Sequence, residues 1–150
     1  MRGDFLKDKE IIILDEIKSR QLRKFRKDMY VSADDFSHHN NLSIGTSTVL
    51  RTERDFYSIY VNSFIEYLKP LGYQLALLRD GEVFNTNLNI KDICVKLEID
   101  KEQAFDLLDI SPASFSNDIW GGKINRLVRT LDYIAFSLGL ELAIVKNKHL

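Results

Sequence analysis

One pattern occurs twice in this chain and narrows what it can fold into: an apolar stripe at helical spacing, a glycine, then alternating apolar residues. In the first copy Val61, Phe64, Leu68 and Leu71 precede Gly72, and Tyr73, Leu75 and Leu77 follow it. In the second, 67 positions later, Val128, Leu131, Ala135 and Leu138 precede Gly139, and Leu140, Leu142 and Ile144 follow. Spacings of three and four residues put each first group on one helix face. The glycine supplies the left-handed conformation that ends a helix at low cost. The change to a period of two marks a strand with one buried face. A helix, a stop and a strand, used twice, make an internal repeat. It predicts that Gln74–Arg79 and Glu141–Lys146 lie in one small sheet.

The 150 residues suffice for one ordinary domain or two small ones. No apolar run approaches the ~20 residues of a membrane span. Ile11-Ile12-Ile13-Leu14 is too short for a signal core and follows acidic residues, so no export signal is expected. Cys94, the single cysteine, rules out an intrachain disulfide and fits a reducing, cytoplasmic setting. Its neighbours Ile93, Val95 and Leu97 make it a packed structural thiol. The net charge of −1 hides an uneven distribution. Lys18, Arg20, Arg23, Lys24, Arg26 and Lys27 stand in a stretch with no acid. From Asp92 to Asp118, seven acids (Asp92, Glu98, Asp100, Glu102, Asp106, Asp109, Asp118) face only Lys96 and Lys101. Opposite charge on two copies of one unit implies that the copies do different work.

Residues 5 to 20 carry Leu6, Ile11, Leu14 and Ile17, which predicts an amphipathic helix. A further stripe of Leu22, Phe25 and Met29 continues through the basic segment, as the same helix or a second one. Ser32 with Asp35 offers a capping box for a short helix from Ala33 to about Asn40 that buries Phe36. Asn40 to Gly45 reads as a turn. Thr46 to Arg54 then forms a helix with Val49 and Thr52 inward and Thr46, Ser47, Thr48, Arg51 and Arg54 outward. Asp80-Gly81 predicts a hairpin that folds Glu82 to about Asn87 back on Gln74–Arg79. Ile90 to Glu98 is a helix, and Asp100 with Gln103 repeats the capping box 68 positions after Ser32. Ile110-Ser111 repeats Leu42-Ser43 at that same offset, and Pro112 opens a helix over Ala113 to Trp120. The chain divides into 1–81, a helical extension with the first unit and its strand, and 82–150, the second and more acidic unit.

A short capped helix, a Leu-Ser or Ile-Ser turn, a short polar helix and a helix ending in Leu-Gly together resemble the Cro/repressor (Xre-type) helix-turn-helix family. The likeness runs from about Leu22 to Val145. Its residues are Arg23 to Lys27, Ser32 to Phe36, Leu42-Ser43, Ser47 to Arg54 and Leu68 to Gly72, then Asp100 to Leu108, Ile110 to Trp120 and Ile134 to Leu140. The endings Leu71-Gly72-Tyr73-Gln74-Leu75 and Leu138-Gly139-Leu140-Glu141-Leu142 look like antitoxin-type members. The resemblance implies a mainly α fold: two tandem helix-turn-helix repeats in a pseudo-twofold arrangement, each ending in a short strand that joins a small sheet.

The resemblance also implies a sequence-specific DNA-binding transcriptional regulator, a repressor or antitoxin-like autoregulator, whose partner is double-stranded DNA. The helix Thr46–Arg54 would enter the major groove and offer Thr46, Ser47, Thr48, Arg51 and Arg54 to bases and phosphates. Arg23 and Lys27 would reach flanking phosphates. The matching surface of the second unit (Ser114, Ser116, Asn117, Asp118) is poor in positive charge, with only Lys123 and Arg126 to help. DNA affinity depends mainly on neutralising phosphate, so the first unit is expected to dominate it. Asp106, Asp109, Asp118 and Trp120 are expected to meet protein instead: a toxin, or the Lys18–Lys27 segment of a second copy in a homodimer. Trp120 reads either as core or as an interface anchor.

There is no glycine-rich phosphate loop, nucleophile elbow or Cys/His metal spacing, so no catalysis, metal or cofactor is expected. His38 and His39, four residues after Asp34 and Asp35, read as surface histidines. The competing reading is an adaptor or antitoxin that keeps the helix-turn-helix fold but acts mainly on a protein partner.

Overall fold

The computed structural model describes residues 9–29, 32–39, 42–121 and 125–147. In chain order its elements are β1 (Ile11–Ile13), α1 (Ser19–Met29), α2 (Ala33–His39), α3 (Thr46–Arg54), α4 (Val61–Leu68), β2 (Tyr73–Arg79) and β3 (Glu82–Asn85). There follow α5 (Ile90–Lys96), α6 (Lys101–Leu108), α7 (Pro112–Ser114), α8 (Val128–Ser137) and β4 (Glu141–Lys146). The protein is mostly helical, with one four-stranded antiparallel sheet in the order β1-β4-β2-β3.

The two strands that follow the glycines form the centre of that sheet, as their period predicts. β2 and β4 pair antiparallel, with Leu75 opposite Ile144, Ala76 opposite Ala143 and Leu77 opposite Leu142. Ala76 and Ala143 are themselves 67 positions apart, so matching residues of the repeat face each other. The same holds where the helices begin: Tyr60 bridges Leu127. There the Val61 N–H donates to the Arg126 carbonyl at 2.7 Å, and the Val128 N–H donates to the Ile59 carbonyl at 2.8 Å. The stripes of α4 and α8 (Val61, Phe64, Leu68; Val128, Leu131, Ala135) lie in one core with Leu75, Leu77, Leu142 and Ile144. Leu22, Phe36 and Val49 from the first half and Ile93, Ala104 and Phe115 from the second belong to that same core. Cys94 is buried in it, and burial pushes its thiol pKa up.

Gly72 and Gly139 stop their helices in the left-handed region, at φ 84° and 77°. No atom lies within 4 Å of a Cβ built at either position, so a side chain there would meet strain and no clash. Gly139→Ala is therefore expected to lower stability by about 1–2 kcal/mol, the cost of a left-handed L-residue, read as a shifted urea midpoint at constant slope. Asp80 and Gly81, both at positive φ, make the two-residue turn of the β2–β3 hairpin. The capping box at α6 is complete: the Asp100 side chain accepts from the Gln103 N–H, and the Gln103 side chain accepts from the Asp100 N–H. At α2 the Ser32 hydroxyl oxygen accepts from the Asp35 N–H at 3.0 Å. Asn40 and Asn41, the first two residues of the predicted turn, lie outside the described residues, as does Leu6.

Two segments depart from expectation. Ile11–Ile13 is a strand and not part of a helix; it pairs with β4, Ile12 opposite Ile144, and a 3-10 turn over Leu14–Glu16 separates it from α1. Helical spacing and a run of β-branched residues point in opposite directions here, and the free edge of β4 decides between them. The helix expected over Ala113–Trp120 is three residues of α7 followed by a π-helical turn, Phe115–Ile119, closed by the Trp120 N–H on the Phe115 carbonyl at 2.8 Å. Gly121 follows where an added Cβ would lie 2.5 Å from the Asn117 carbonyl oxygen, so no larger residue fits without movement. Among the described residues no helix is long and apolar enough to cross a membrane.

Candidate nucleic-acid interface

The outward face of α3 is set by what α3 buries. Val49 and Thr52 point into the core as their spacing predicts, and the Thr52 hydroxyl donates to the Thr48 carbonyl at 2.7 Å. Ser47, Leu50, Arg51 and Arg54 are exposed, while Thr46 and Thr48 are half-buried. The Thr46 hydroxyl is already engaged: it donates to Asp34 Oδ1 at 2.9 Å and ties α3 to α2. Of the residues expected on the outward face, Ser47, Arg51 and Arg54 thus stand most open to a ligand.

Beneath this face lies a buried polar cluster. Glu53, which helical spacing alone did not place on either face, has its carboxylate buried. Arg26 Nε donates to its Oε2 at 2.9 Å and Arg26 Nη2 to its Oε1 at 2.7 Å, a bidentate pair with both side chains 2 % exposed. The Tyr67 hydroxyl donates to the same Oε2 at 2.8 Å. Burial and the Glu53 charge hold the Tyr67 pKa well above its ordinary value, and the Glu53 hydrogen bond raises that of Arg26. Arg26 therefore leaves the basic surface to which its neighbours belong. A signal for this exists in the sequence: Arg26 follows Leu22 by four positions and Glu53 follows Val49 by four, so each charge falls on its helix's apolar stripe.

The remaining cations frame a groove between α1 and α3. Arg20, Arg23, Leu50, Glu53 and Arg54 line it, around a volume of about 360 Å³. Arg23 and Arg54, both among the expected contacts, lie together here, and Arg20, absent from them, joins. Arg51 and Lys27 are exposed but lie outside this lining. Among the described residues none of Arg20, Arg23, Arg51 and Arg54 makes an ion pair with a carboxylate. The Glu53 charge at the base of the groove is already answered by Arg26. The groove carries a surplus of positive charge.

The second half differs at each matching place. Counted from the helix starts, Ile119 and Ile134 stand where Glu53 and Tyr67 stand in the first, and Cys94 follows Arg26 by the 68 positions that separate the two capping boxes; all three are buried and apolar or weakly polar. Ser114, Ser116 and Asn117 are exposed. Asp106 and Asp109 are exposed, and Asp109 closes α6 in the left-handed region at φ 49°. Asp118 is half-buried, and its carbonyl accepts from Arg126 Nη2 at 3.1 Å. Burial lowers the Arg126 pKa, opposed by the nearby Asp118 charge. Trp120 is half-buried and stacks on Phe115 with ring centroids 5.7 Å apart, which places it at the margin of the core. Lys123 lies outside the described residues. His38 Nδ1 sits 3.5 Å from Asp34 Oδ2, an exposed pair one helical turn apart; among the described residues no group of three potential metal ligands comes together.

Compared with protein-family models, with curated proteins and with solved structures, the chain matches none.

Proposed function

We propose that this protein is a DNA-binding regulator made of two helix-turn-helix units related by a pseudo-twofold axis, the first of which reads DNA. The observation that carries the reading is the surface of α1 and α3: Ser47, Arg51 and Arg54 outward on one helix, Arg20 and Arg23 beside them, and no neutralising carboxylate among the described residues. The pseudo-twofold relation is supported by the hydrogen bonds that matching positions exchange at Val61 and Val128 and by the facing of Ala76 and Ala143. On this reading α3 lies in the major groove, where Ser47 and Arg51 meet base edges, while Arg20, Arg23 and Arg54 neutralise phosphates along the groove wall. The buried Arg26–Glu53–Tyr67 cluster holds α1, α3 and α4 at fixed angles, so that both contact sets meet the duplex together.

The acidic surface of the second unit, with Asp106 and Asp109 exposed, favours a protein contact over a second DNA half-site, because it would repel phosphate. The test is a titration of the purified protein on the DNA upstream of its own gene at several salt concentrations. Each phosphate neutralised contributes about 0.9 to the slope of log affinity against log salt, so three arginines on phosphate give a slope near −3 or steeper. An affinity that is absent, or that ignores salt, overturns the reading.

A further inference from the structure

Between α6 and α7 lies an open cleft of about 370 Å³. Phe105, Phe115 and Pro112 give it an apolar lining, and Glu102 and Asp106, with Lys101 and Ser116, complete it, so that its carboxylates outnumber its one cation. In the first unit the corresponding helix pair is closed: the Thr46 hydroxyl donates to Asp34, and the Ser37 hydroxyl donates to the Ile44 carbonyl at 2.8 Å. Counted from the helix starts, Glu102, Phe105 and Pro112 occupy the places of Asp34, Ser37 and Thr46. A proline has no hydroxyl to give and a phenylalanine ring no donor, so neither closing bond can form. Phe105 instead meets Phe115 edge-on, centroids 5.3 Å apart, and both rings line the cleft.

Such a cleft is complementary to a large apolar side chain flanked by cations. Leu50 is such a side chain: it is 43 % exposed on α3, with Arg51 beside it and Arg54 one turn on, both exposed and outside any ion pair among the described residues. The matching position in the second unit is Ser116, which offers no such projection. The Leu50 projection and the cleft are thus opposite in charge and in shape. We infer that a second copy of the chain fills the cleft, Leu50 of one copy entering between α6 and α7 of the other while Arg51 and Arg54 meet Glu102 and Asp106. The apolar contact supplies the affinity, and the charges fix orientation and exclude wrong partners. Two chains that exchange the contact reciprocally form a closed dimer. If the DNA reading holds, Arg51 and Arg54 are shared between the two uses, so self-association and DNA binding exclude one another; only this last statement rests on that reading.

Sedimentation velocity on the full chain tests the contact with charge reversals at four exposed positions, circular dichroism confirming that each variant is folded. The native chain is expected to show at least twice the mass of one chain as its concentration rises. Arg51→Glu with Arg54→Glu, and separately Glu102→Lys with Asp106→Lys, are each expected to sediment as single chains. Mixed, the two variants should recover the native mass, because both the reversed projection and the reversed cleft again find opposite charge. A native chain that remains single at every concentration overturns the proposal. So does a mixture that fails to reassociate, or an association that neither reversal weakens. A chain that associates as described yet binds no DNA would remove the DNA reading and leave this contact standing.

Discussion

Glu53→Ala is expected to cost about 3–5 kcal/mol of folding stability, the range found when one partner of a buried ion pair is removed. The variant would leave the Arg26 guanidinium 2 % exposed with no carboxylate to answer it, and would strip the Tyr67 hydroxyl of its acceptor. Arg26→Ala should cost a similar amount, because it strands the carboxylate instead. Tyr67→Phe removes one hydrogen bond to a charged group and should cost about 1.5–3 kcal/mol. The combination Arg26→Met with Glu53→Ile should recover most of the loss, since well-packed apolar residues often replace a buried pair at little cost. The second half already has a buried isoleucine, Ile119, at the place that matches Glu53. Urea unfolding of these variants, with Arg26→Ala and Glu53→Ala also combined to complete a double-mutant cycle, measures the differences and the coupling. Single losses that simply add in the double variant would contradict a paired, buried cluster.

Arg51→Ala is expected to weaken binding to specific DNA by about 1–3 kcal/mol if its guanidinium meets a base, and by less if it meets phosphate. Asn117, the sixth residue from the start of its helix as Arg51 is of α3, is also exposed, yet it carries no charge and sits beside Asp118. Asn117→Ala should change affinity far less. Arg20→Ala, on the groove wall, should weaken binding to all sequences alike and lower the salt slope by about 1. Equal losses from Arg51→Ala and Asn117→Ala would mean that both units read DNA, and that the acidic surface of the second does not keep it from the duplex.

Much of this architecture follows from local chemistry. Gly72 and Gly139 are needed wherever a helix must end at positive φ, and Asp80-Gly81 wherever two strands must reverse in two residues. The stripes before each glycine and the alternation after it belong to a few neighbouring residues, so the helices α4 and α8 and the pairing of β2 with β4 could be read directly. The bounds of α3, its buried Val49 and Thr52, and the capping box at Asp100 were legible for the same reason. Of the candidate site, Arg23 and Arg54 could be named from charge and helix face.

Other features depend on residues far apart in the chain. Ile11–Ile13 satisfies a helical and an extended reading equally, and only the unpaired edge of β4 makes it a strand. Arg26 looks like one more surface cation until Glu53, 27 positions on, is laid across it and Tyr67 closes the cluster. The cleft beside Phe105 lies where Pro112 and Phe105 stand in the places of Thr46 and Ser37, whose hydrogen bonds tie down the first half. The repeat, its stops and its charge asymmetry were thus set by the sequence, because each arises within a turn or two of chain. Which charges are buried, which edge is covered and where the two units differ in shape were decided only by tertiary packing, because burial and pairing are properties of whichever residues the fold brings into contact.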